Sequence, residues 1–347
     1  MTAPTAVLTS PCKMAERRAA AAERRRPRVS MRAYLDFEQP VAALEAKVEE
    51  FEALSAKSES LAIGDELARM RQKAHKALGD LYATLTPCQK TMVARHPLRP
   101  HLSDYLKALV TDFTPLAGDR LYGEDEAIVG GLGRFNGRSV CVIGQEKGSD
   151  TDSRIRHNFG MAKPEGYRKA VRLMELADRF DLPVVSLVDT AGAFPGIEAE
   201  ERGQAEAIAR SIDCSLSLGV ANVAVIVGEG GSGGAVAIAT ANRVMMLEHS
   251  IYTVASPEAS ASILWRDSGR AQDAATSMKI TAQDLLRFGI IDEVIQEPPG
   301  GAHRDPQATI RVVGAAMAKA LRSFEGQSRE AIREGRAEKF LAMGRKL

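Results

Sequence analysis

Five glycines within seven residues lie between an apolar run, Val223 to Val227, and the small residues that begin at Ala235. The apolar, β-branched run predicts a buried strand, and the small residues predict a closely packed helix. A glycine loop between them leaves backbone N–H groups free at the positive end of the helix dipole. The sequence therefore predicts a loop that holds negative charge. Its glycines are Gly228, Gly230, Gly231, Gly233 and Gly234.

Three functions fit this loop, and its pattern alone does not choose among them. A G-x-G-x-x-G spacing begins at Gly228 and is typical of dinucleotide binding, with Glu248 at about the distance of a ribose-binding acid. A G-x-S-x-G spacing around Ser232 is typical of a nucleophile elbow, which needs a histidine such as His249 or His303. The third function is an oxyanion hole that uses main-chain N–H groups alone.

The sequence around the loop limits the other functions that it could have. A phosphate-binding P-loop is excluded because no Gly-Lys-Ser/Thr follows the glycines. A turn that only lets helices pack closely is the non-functional alternative. The dinucleotide pattern belongs at the first strand of a βαβ unit, whereas here it lies late in the chain and after another glycine-rich loop. We therefore disfavour the dinucleotide interpretation.

That other glycine-rich loop follows an apolar run at 182–188, which predicts the preceding strand. The loop contains Gly192, Ala193 and Gly196 and is too rich in glycine and proline to be regular structure. Two consecutive strand–loop–helix units thus carry a glycine loop at the carboxyl end of the strand. Open α/β sheets bind ligands at that end. We expect the loops at Gly192 and Gly233 to face one crevice.

The remaining elements have to position these loops. Apolar residues at helical spacing predict a helical hairpin from 38–54 and 64–81, followed by short helices broken by prolines up to residue 116. Asn136-Gly137 is a strong hairpin signal between two β-like runs. Further predicted helices span 165–180, 198–218, 257–265, 281–287 and 305–345, and further predicted strands span 127–135, 138–145, 243–247, 251–254 and 290–295.

Composition restricts the class of protein. The 347 residues are 45% hydrophobic and 26% charged, as in an ordinary soluble globular protein, and no apolar run reaches the roughly 18 residues that span a bilayer. Of the net charge of +1, residues 1–32 carry +6, which leaves −5 for the rest. A folded part with that charge indicates no nucleic-acid partner. Residues 1–30 predict a disordered basic tail, with Met31 as an alternative start.

The cysteines argue against a metal or disulfide framework. The four cysteines form no C-x-x-C pair, so we expect no zinc ribbon in this chain. Such cysteine usage suits a reducing cytoplasm, and we expect a cytoplasmic protein. The cysteines are Cys12, Cys88, Cys141 and Cys214.

Several separate motifs, taken in order, resemble one family. It is the α subunit of the carboxyltransferase of bacterial multi-subunit acetyl-CoA carboxylase, and the resemblance runs from about Tyr34 to Pro306. Small departures occur at Ala191 and Phe194, where the family often has proline and tyrosine. The motifs are LDFEQP from Leu35, AGDR from Ala117, NFGM from Asn158, PEGYRKA from Pro164, EERGQ from Glu200, GEGGSGGA from Gly228 and GGAHR from Gly300.

The resemblance implies a fold and a reaction. The fold is an α/β, crotonase-like superhelix of ββα units at 117–304, with an N-terminal helical region at 31–116 and a C-terminal helical extension at 305–347. The reaction moves a carboxyl group from carboxybiotin, on a biotin carboxyl carrier protein, to acetyl-CoA and forms malonyl-CoA for fatty-acid synthesis. A separate biotin carboxylase uses ATP. A β subunit carries the zinc and completes an α2β2 heterotetramer.

The resemblance also assigns roles to the glycine loops. Backbone N–H groups of Gly233 and Gly234 are expected to stabilise the biotin oxyanion, with Gly192 and Ala193 as the facing wall. The remaining biotin-binding residues are expected to be Gly230, Gly231 and Ser232.

A basic cluster is either a solvated helix face or a surface that meets CoA phosphates or the partner subunit. Its members are Arg154, Arg156, Arg168 and Lys169, of which Arg154 and Arg156 are the main candidates.

Overall fold

The computed structural model of the chain describes residues 33–55 and 61–345. The predicted tail at 1–30 and the alternative start at Met31 lie outside the described residues. The strands of the described part are β1 (Val110–Pro115), β2 (Ile128–Phe135), β3 (Arg138–Gln145), β4 (Val184–Thr190), β5 (Asn222–Gly231), β6 (Arg243–Leu247), β7 (Ile251–Thr253) and β8 (Glu293–Ile295).

Helices surround these strands and follow the predicted order closely. They are α1 (Gln39–Ser55), α2 (Leu61–Ala83), α3 (Pro87–Ala94), α4 (Leu102–Leu109), α5 (Thr151–Arg156), α6 (Pro164–Arg179), α7 (Ile197–Glu201), α8 (Gln204–Ser217), α9 (Ser232–Ala239), α10 (Pro257–Trp265), α11 (Ala271–Met278), α12 (Ala282–Arg287), α13 (Pro306–Arg322) and α14 (Arg329–Ala342).

The strands form one mixed sheet in the order β1-β2-β3-β4-β5-β6-β8, and β7 pairs with the end of β5. The first three strands are antiparallel, and the predicted hairpin joins β2 to β3 with Asn136 and Gly137 both at positive φ. From β3 to β6 the strands are parallel. Because parallel strands end at one edge of a sheet, the loops after β3, β4 and β5 lie side by side.

Apolar side chains bury both faces of the sheet. Every residue of β4 and of β5 is buried, which explains why these strands have continuous rather than alternating apolar sequences. On one face, Tyr167, Leu173 and Ala235 of α6 and α9 belong to the core. On the other face, residues of α4 and α13 such as Tyr105 and Val313 complete a second core layer. The sheet edge that carries the glycine loops is thus held from both sides.

The structure corrects two predicted helical segments. Residues 110–115 form strand β1 rather than part of the helical region, so the first helices end at Leu109 and the predicted boundary at 116 is wrong. The strand follows α4 directly, so no turn residue marks its start, and it ends at Pro115. Glycine allows it to pair, since a methyl group on Gly131 would overlap the carbonyl of Thr114. The single helix predicted at 198–218 is two helices, because Gly203 has a φ of 82° between α7 and α8.

The N-terminal hairpin of α1 and α2 is confirmed, and an ion-pair cluster attaches it to the rest of the chain. Arg304 contacts Glu38 and Glu45, each at 2.9 Å, across more than 250 residues of sequence. Tyr82, on α2, donates a 3.0 Å hydrogen bond to Glu38. The N-terminal helices are therefore attached to the segment just before α13.

Helix α14 is fixed by one buried arginine. Arg336 is 0% exposed and donates hydrogen bonds to the carbonyls of Leu218, at 2.7 Å, and Val220, at 2.9 Å. It also donates to the side chain of Asn242, where β6 is about to begin. The carbonyls of Leu218 and Val220 lie between the end of α8 and the start of β5, where no helix or strand provides hydrogen-bond donors. The guanidinium of Arg336 provides these donors instead.

Removing this guanidinium should destabilise the whole fold. We expect Arg336→Met to lower the free energy of unfolding by about 3 kcal/mol or more, because several buried carbonyls lose a charged donor. Arg333→Met is the matched control, since Arg333 is exposed on the same helix and donates one hydrogen bond, to the exposed carbonyl of Ser217 at 2.8 Å, so its cost should stay within about 1 kcal/mol. Urea unfolding of both variants measures the difference, and equal midpoints would contradict the assignment.

Candidate active site

The two glycine-rich loops lie directly against each other. A methyl group on Gly234 would lie 2.7 Å from the carbonyl carbon of Gly192 and 2.9 Å from the nitrogen of Ala193. A methyl group on Gly231 would overlap the carbonyl of Ala191. Real Cβ atoms do not approach a main chain this closely, so only glycine permits the contact. The two loops are therefore in contact, and that they face one crevice stays a prediction.

Helix α9 begins at this contact without a side-chain cap. Gly231 precedes the helix and makes no side-chain hydrogen bond to it. The first N–H groups of a helix have no partner within the helix, and the dipole adds partial positive charge. Gly234 is buried and Gly233 is half-buried. Their N–H groups are donors in a place largely shielded from water, as an oxyanion site requires.

Gly230 and Gly231 are strand residues rather than loop residues. Both are buried at the end of β5, where they pair with Tyr252 and Thr253 of β7. The strand is therefore longer than predicted, and the turn into α9 is correspondingly abrupt. The two glycines lie directly before the start of α9.

Ser232 makes that abrupt turn. Its φ of 50° lies in the left-handed region, which costs a non-glycine residue about 1 kcal/mol or more. The residue is exposed and borders a cavity of about 560 Å³ at the start of α9. The rest of the cavity wall is mostly apolar and consists of Gly233, Val236, Tyr252, Thr253, Val254, Met278, Ile280, Leu285 and Ile290.

A buried ion cluster supports the two loops from behind. Lys147, after β3, contacts Asp189 at 2.8 Å and Glu229 at 2.7 Å, and both carboxylates lie at the loop ends of β4 and β5. Glu229 also accepts a 2.6 Å hydrogen bond from Arg95. Burial alone would lower the pKa of Lys147, but the two carboxylates outweigh it and raise that pKa above its usual value. The cluster stays charged and holds three strand ends together.

These supporting residues were not predicted from the sequence. Lys147, Asp189 and Glu229 bear charges in positions that prove to be largely buried, and the sequence alone gives no sign of their pairing. A weak signal existed in their placement, because Asp189 and Glu229 each come directly after a predicted strand or within two residues of it. That is the edge where open α/β sheets place their functional groups.

The histidines do not support a serine hydrolase. His303 stacks on His96 with ring centroids 3.9 Å apart, and His249 packs edge-on against Tyr82 at 5.3 Å. Within the described residues, neither histidine has a hydrogen bond to Ser232. Burial lowers the pKa of His249 to about 4 and that of His303 to about 3, so both are neutral packing residues at neutral pH. A catalytic triad around Ser232 therefore lacks its base.

The predicted basic cluster divides into two pairs. Arg168 is engaged with Asp119 at 2.8 Å, and Lys169 with Glu124, so these two are internal and not available to a ligand. Arg154 and Arg156 lie on the short helix α5, and Arg156 is 59% exposed with one long contact of 3.6 Å to Glu126. Only Arg154 and Arg156 remain candidates for an external anion.

Solved structures of low sequence identity share this fold. The transcarboxylase 12S core is 19% identical with a TM-score of 0.54, and the match covers 67% of this chain and 42% of that chain. A chain of the Pseudomonas malonate decarboxylase hetero-tetramer is 17% identical with a TM-score of 0.52, covering 63% and 89%. These matches show the crotonase-like fold predicted from the sequence.

These matches place the chain in the crotonase-like fold class, and sequence comparison then identifies its family. Residues 34–344 match the family model described as acetyl co-enzyme A carboxylase carboxyltransferase-like. The chain belongs to this family. It is 68% identical over 317 residues to the acetyl-coenzyme A carboxylase carboxyl transferase subunit alpha of Nitrobacter hamburgensis, which covers 91% of this chain and 98% of that protein. The corresponding Methylobacterium nodulans subunit is also 68% identical, with 91% and 100% covered.

The described residues also bear on membrane association. Across 33–55 and 61–345, no helix is both long enough and apolar enough to cross a bilayer.

The contact between the loops makes Gly234 intolerant of a side chain. We expect Gly234→Ala to lower kcat by about 100-fold or more, because the new methyl group must push Gly192 and Ala193 away from the N–H donors. Gly233→Ala is the matched variant, since its methyl group would lie 3.4 Å from Ile208, an ordinary contact, and the N–H is kept. Its loss should stay below about tenfold. A lower steady-state kcat for Gly233→Ala than for Gly234→Ala would contradict this geometry.

The buried neutral His249 should make the protein sensitive to acid. Its pKa of about 4 in the folded chain lies below the ordinary value of 6.5, so the unfolded chain binds more protons between these values. Stability therefore falls as the pH drops from 6.5 towards 4. Between pH 6.5 and 4.5, we expect the free energy of unfolding of His249→Gln to fall by about 2 kcal/mol less than that of the wild type.

Urea unfolding at several pH values measures this effect. His157→Gln is the control for the exchange itself, because His157 is a partly exposed histidine directly after α5. Identical pH profiles for wild type and His249→Gln would show that His249 is not the responsible group.

Proposed function

We propose that this chain provides the biotin half of a carboxyltransferase site that is shared with a β subunit. In this proposal the chain works as the α subunit in the transfer of a carboxyl group to acetyl-CoA, which gives malonyl-CoA. The family membership supports the reaction, and the geometry of the glycine loops supports the division of the site. The single observation that carries the proposal is the contact of the uncapped start of α9 with Gly192 and Ala193.

The proposed role of the loops is to stabilise negative charge. Carboxybiotin supplies the activated carboxyl group when its carrier protein docks. Gly233 and Gly234 would then donate their N–H groups to the oxygen on which charge develops, while Gly192 and Ala193 close the opposite side. One preorganised donor of this kind is worth about 3 kcal/mol of activation free energy. Because the donors are main-chain groups, no ionisable side chain has to point into the site.

The cavity beside the glycine loops has a size and lining that suit the mostly apolar, bicyclic ring system of the carboxyl donor. The cavity of about 560 Å³ begins at Ser232 and Gly233 and continues between apolar side chains. Ligand cavities in proteins are mostly apolar with a few placed polar groups, and here those are the Ser232 hydroxyl and the N–H donors. Gly230 and Gly231 would form the floor on which the donor lies. The left-handed backbone of Ser232 is the kind of strain that proteins retain at working sites.

The further components belong to the same proposal. They are a zinc-containing β subunit that binds most of the acetyl-CoA, an α2β2 assembly, a biotin carboxyl carrier protein and an ATP-dependent biotin carboxylase. We place the reaction in the cytoplasm. Residues 117–304 would be the catalytic core, with the helices before Leu109 and those at 305–347 as braces.

Reconstitution tests the shared site. We expect no malonyl-CoA from acetyl-CoA and carboxylated carrier protein with this chain alone, and sustained formation once the β subunit of the same organism is added. Formation of radioactive malonyl-CoA from labelled bicarbonate in the complete system measures it. Full activity of the isolated chain would contradict a divided site, and an inactive but assembled complex would contradict the assigned acceptor.

Arg154 and Arg156 are proposed to meet CoA phosphates or the partner subunit. We expect the double charge reversal Arg154→Glu with Arg156→Glu to raise the KM for acetyl-CoA or weaken assembly by about tenfold, since two favourable charge contacts become repulsive. The double reversal Arg311→Glu with Arg322→Glu, on α13, serves as the control for net charge. An unchanged KM together with an unchanged assembly constant would remove both arginines from the site.

A further inference from the structure

Gln145 connects the two walls of the glycine site through its side-chain amide. It is the last residue of β3 and is 1% exposed. Its Nε2 donates a 2.8 Å hydrogen bond to the carbonyl of Gly234, and its Oε1 accepts a 3.1 Å hydrogen bond from the N–H of Asp189. Since one partner needs a donor and the other an acceptor, these two bonds fix the orientation of the amide.

The first of these bonds fixes the start of α9. Across the described residues, the hydrogen bond from Gln145 is the only one that a side chain makes to the first turn of this helix, from Ser232 to Ala235. A helical carbonyl has a second lone pair beyond the one used by the helix, so Gln145 adds a bond without breaking the helical ladder. The position of Gly234 is thereby set from the neighbouring strand rather than by a cap.

The second bond fixes the facing loop. Asp189 is the residue before Thr190, whose hydroxyl donates a 2.7 Å hydrogen bond to the carbonyl of Gly192. The side chain of Asp189 accepts a 2.9 Å hydrogen bond from the N–H of Glu229, so the same segment is also attached to β5. The amide of Gln145 thus touches both loops, each within a few residues of its glycines.

We propose that Gln145 is a positioning residue that sets the spacing between Gly234 and the Gly192–Ala193 wall for the carboxyl transfer. The inference rests on the proposed oxyanion role of Gly233 and Gly234. Gln145 has no contact with a reacting atom and acts through Gly234. A displacement of the order of 1 Å at a catalytic donor can cost about 100-fold in rate, so an error in this spacing should appear in kcat. The KM for acetyl-CoA should change little, because that substrate would bind mainly to the partner subunit.

The test compares Gln145→Met with a matched control variant, each assembled with the same wild-type partner components. Methionine has nearly the same volume and forms neither hydrogen bond. Ser211→Ala is the control, since Ser211 is also fully buried and donates a 2.6 Å hydrogen bond to a carbonyl of the same helix, that of Ala237 at its far end. We expect Gln145→Met to lower kcat about tenfold or more with the KM for acetyl-CoA within about twofold. We expect Ser211→Ala to keep kcat within about twofold of the wild-type value, even if it lowers Tm as much as Gln145→Met does.

A second variant keeps the test decisive if methionine prevents folding. Gln145→Glu retains an acceptor for the Asp189 N–H but turns a carboxylate oxygen towards the carbonyl of Gly234, so the same loss of kcat is expected. A folded, assembled Gln145 variant that keeps at least half of the wild-type kcat would overturn the inference, as would an equal loss in Ser211→Ala. Wild-type assembly without malonyl-CoA formation would instead overturn the proposed function, so the two failures are distinguishable.

Discussion

The site depends on two stretches of main chain that approach more closely than any side chain allows. Gly231 and Gly234 lie against Ala191, Gly192 and Ala193 at distances that a single methyl group would abolish. This contact places the uncapped start of α9 beside a second loop, with Gly234 buried and Gly233 half-buried. Charge stabilisation by main-chain donors is strong only in such a preorganised and desolvated place. The glycines are therefore required by packing as much as by chemistry.

Holding two loops together without side chains between them requires support from behind. The ammonium of Lys147 joins Asp189 and Glu229, and Arg95 adds a second cation to Glu229. Burial of such charges is costly unless each is paired and hydrogen-bonded, which the cluster achieves. Parallel strands end at the same edge, so β3, β4 and β5 each contribute a member at the same level. The register of these parallel strands thus determines where the charged groups and the two loops lie relative to one another.

Much of this could be predicted from the sequence because the signals were local. Asn136-Gly137 identified its hairpin, the apolar runs identified β4 and β5, and the glycine motifs identified both loops and the family. Strand β1 was missed because it follows α4 without a turn residue between them. The break at Gly203 was missed because polar helix-forming residues surround it. The supporting ion cluster could not be predicted, since Arg95 and Glu229 are 134 residues apart and meet only in the folded chain.

The most direct measurement removes one donor and nothing else. Replacing the amide N–H of Gly234 by an ester oxygen, through incorporation of glycolic acid, deletes the donor without adding any atom to the loop contact. The same exchange at Val236, whose N–H lies within α9, controls for the loss of a helical hydrogen bond. We expect the ester at Gly234 to lower kcat for malonyl-CoA formation by about 100-fold, and the ester at Val236 to lower only stability. Equal kcat for the two esters would contradict the claim that the start of α9 stabilises the reacting charge.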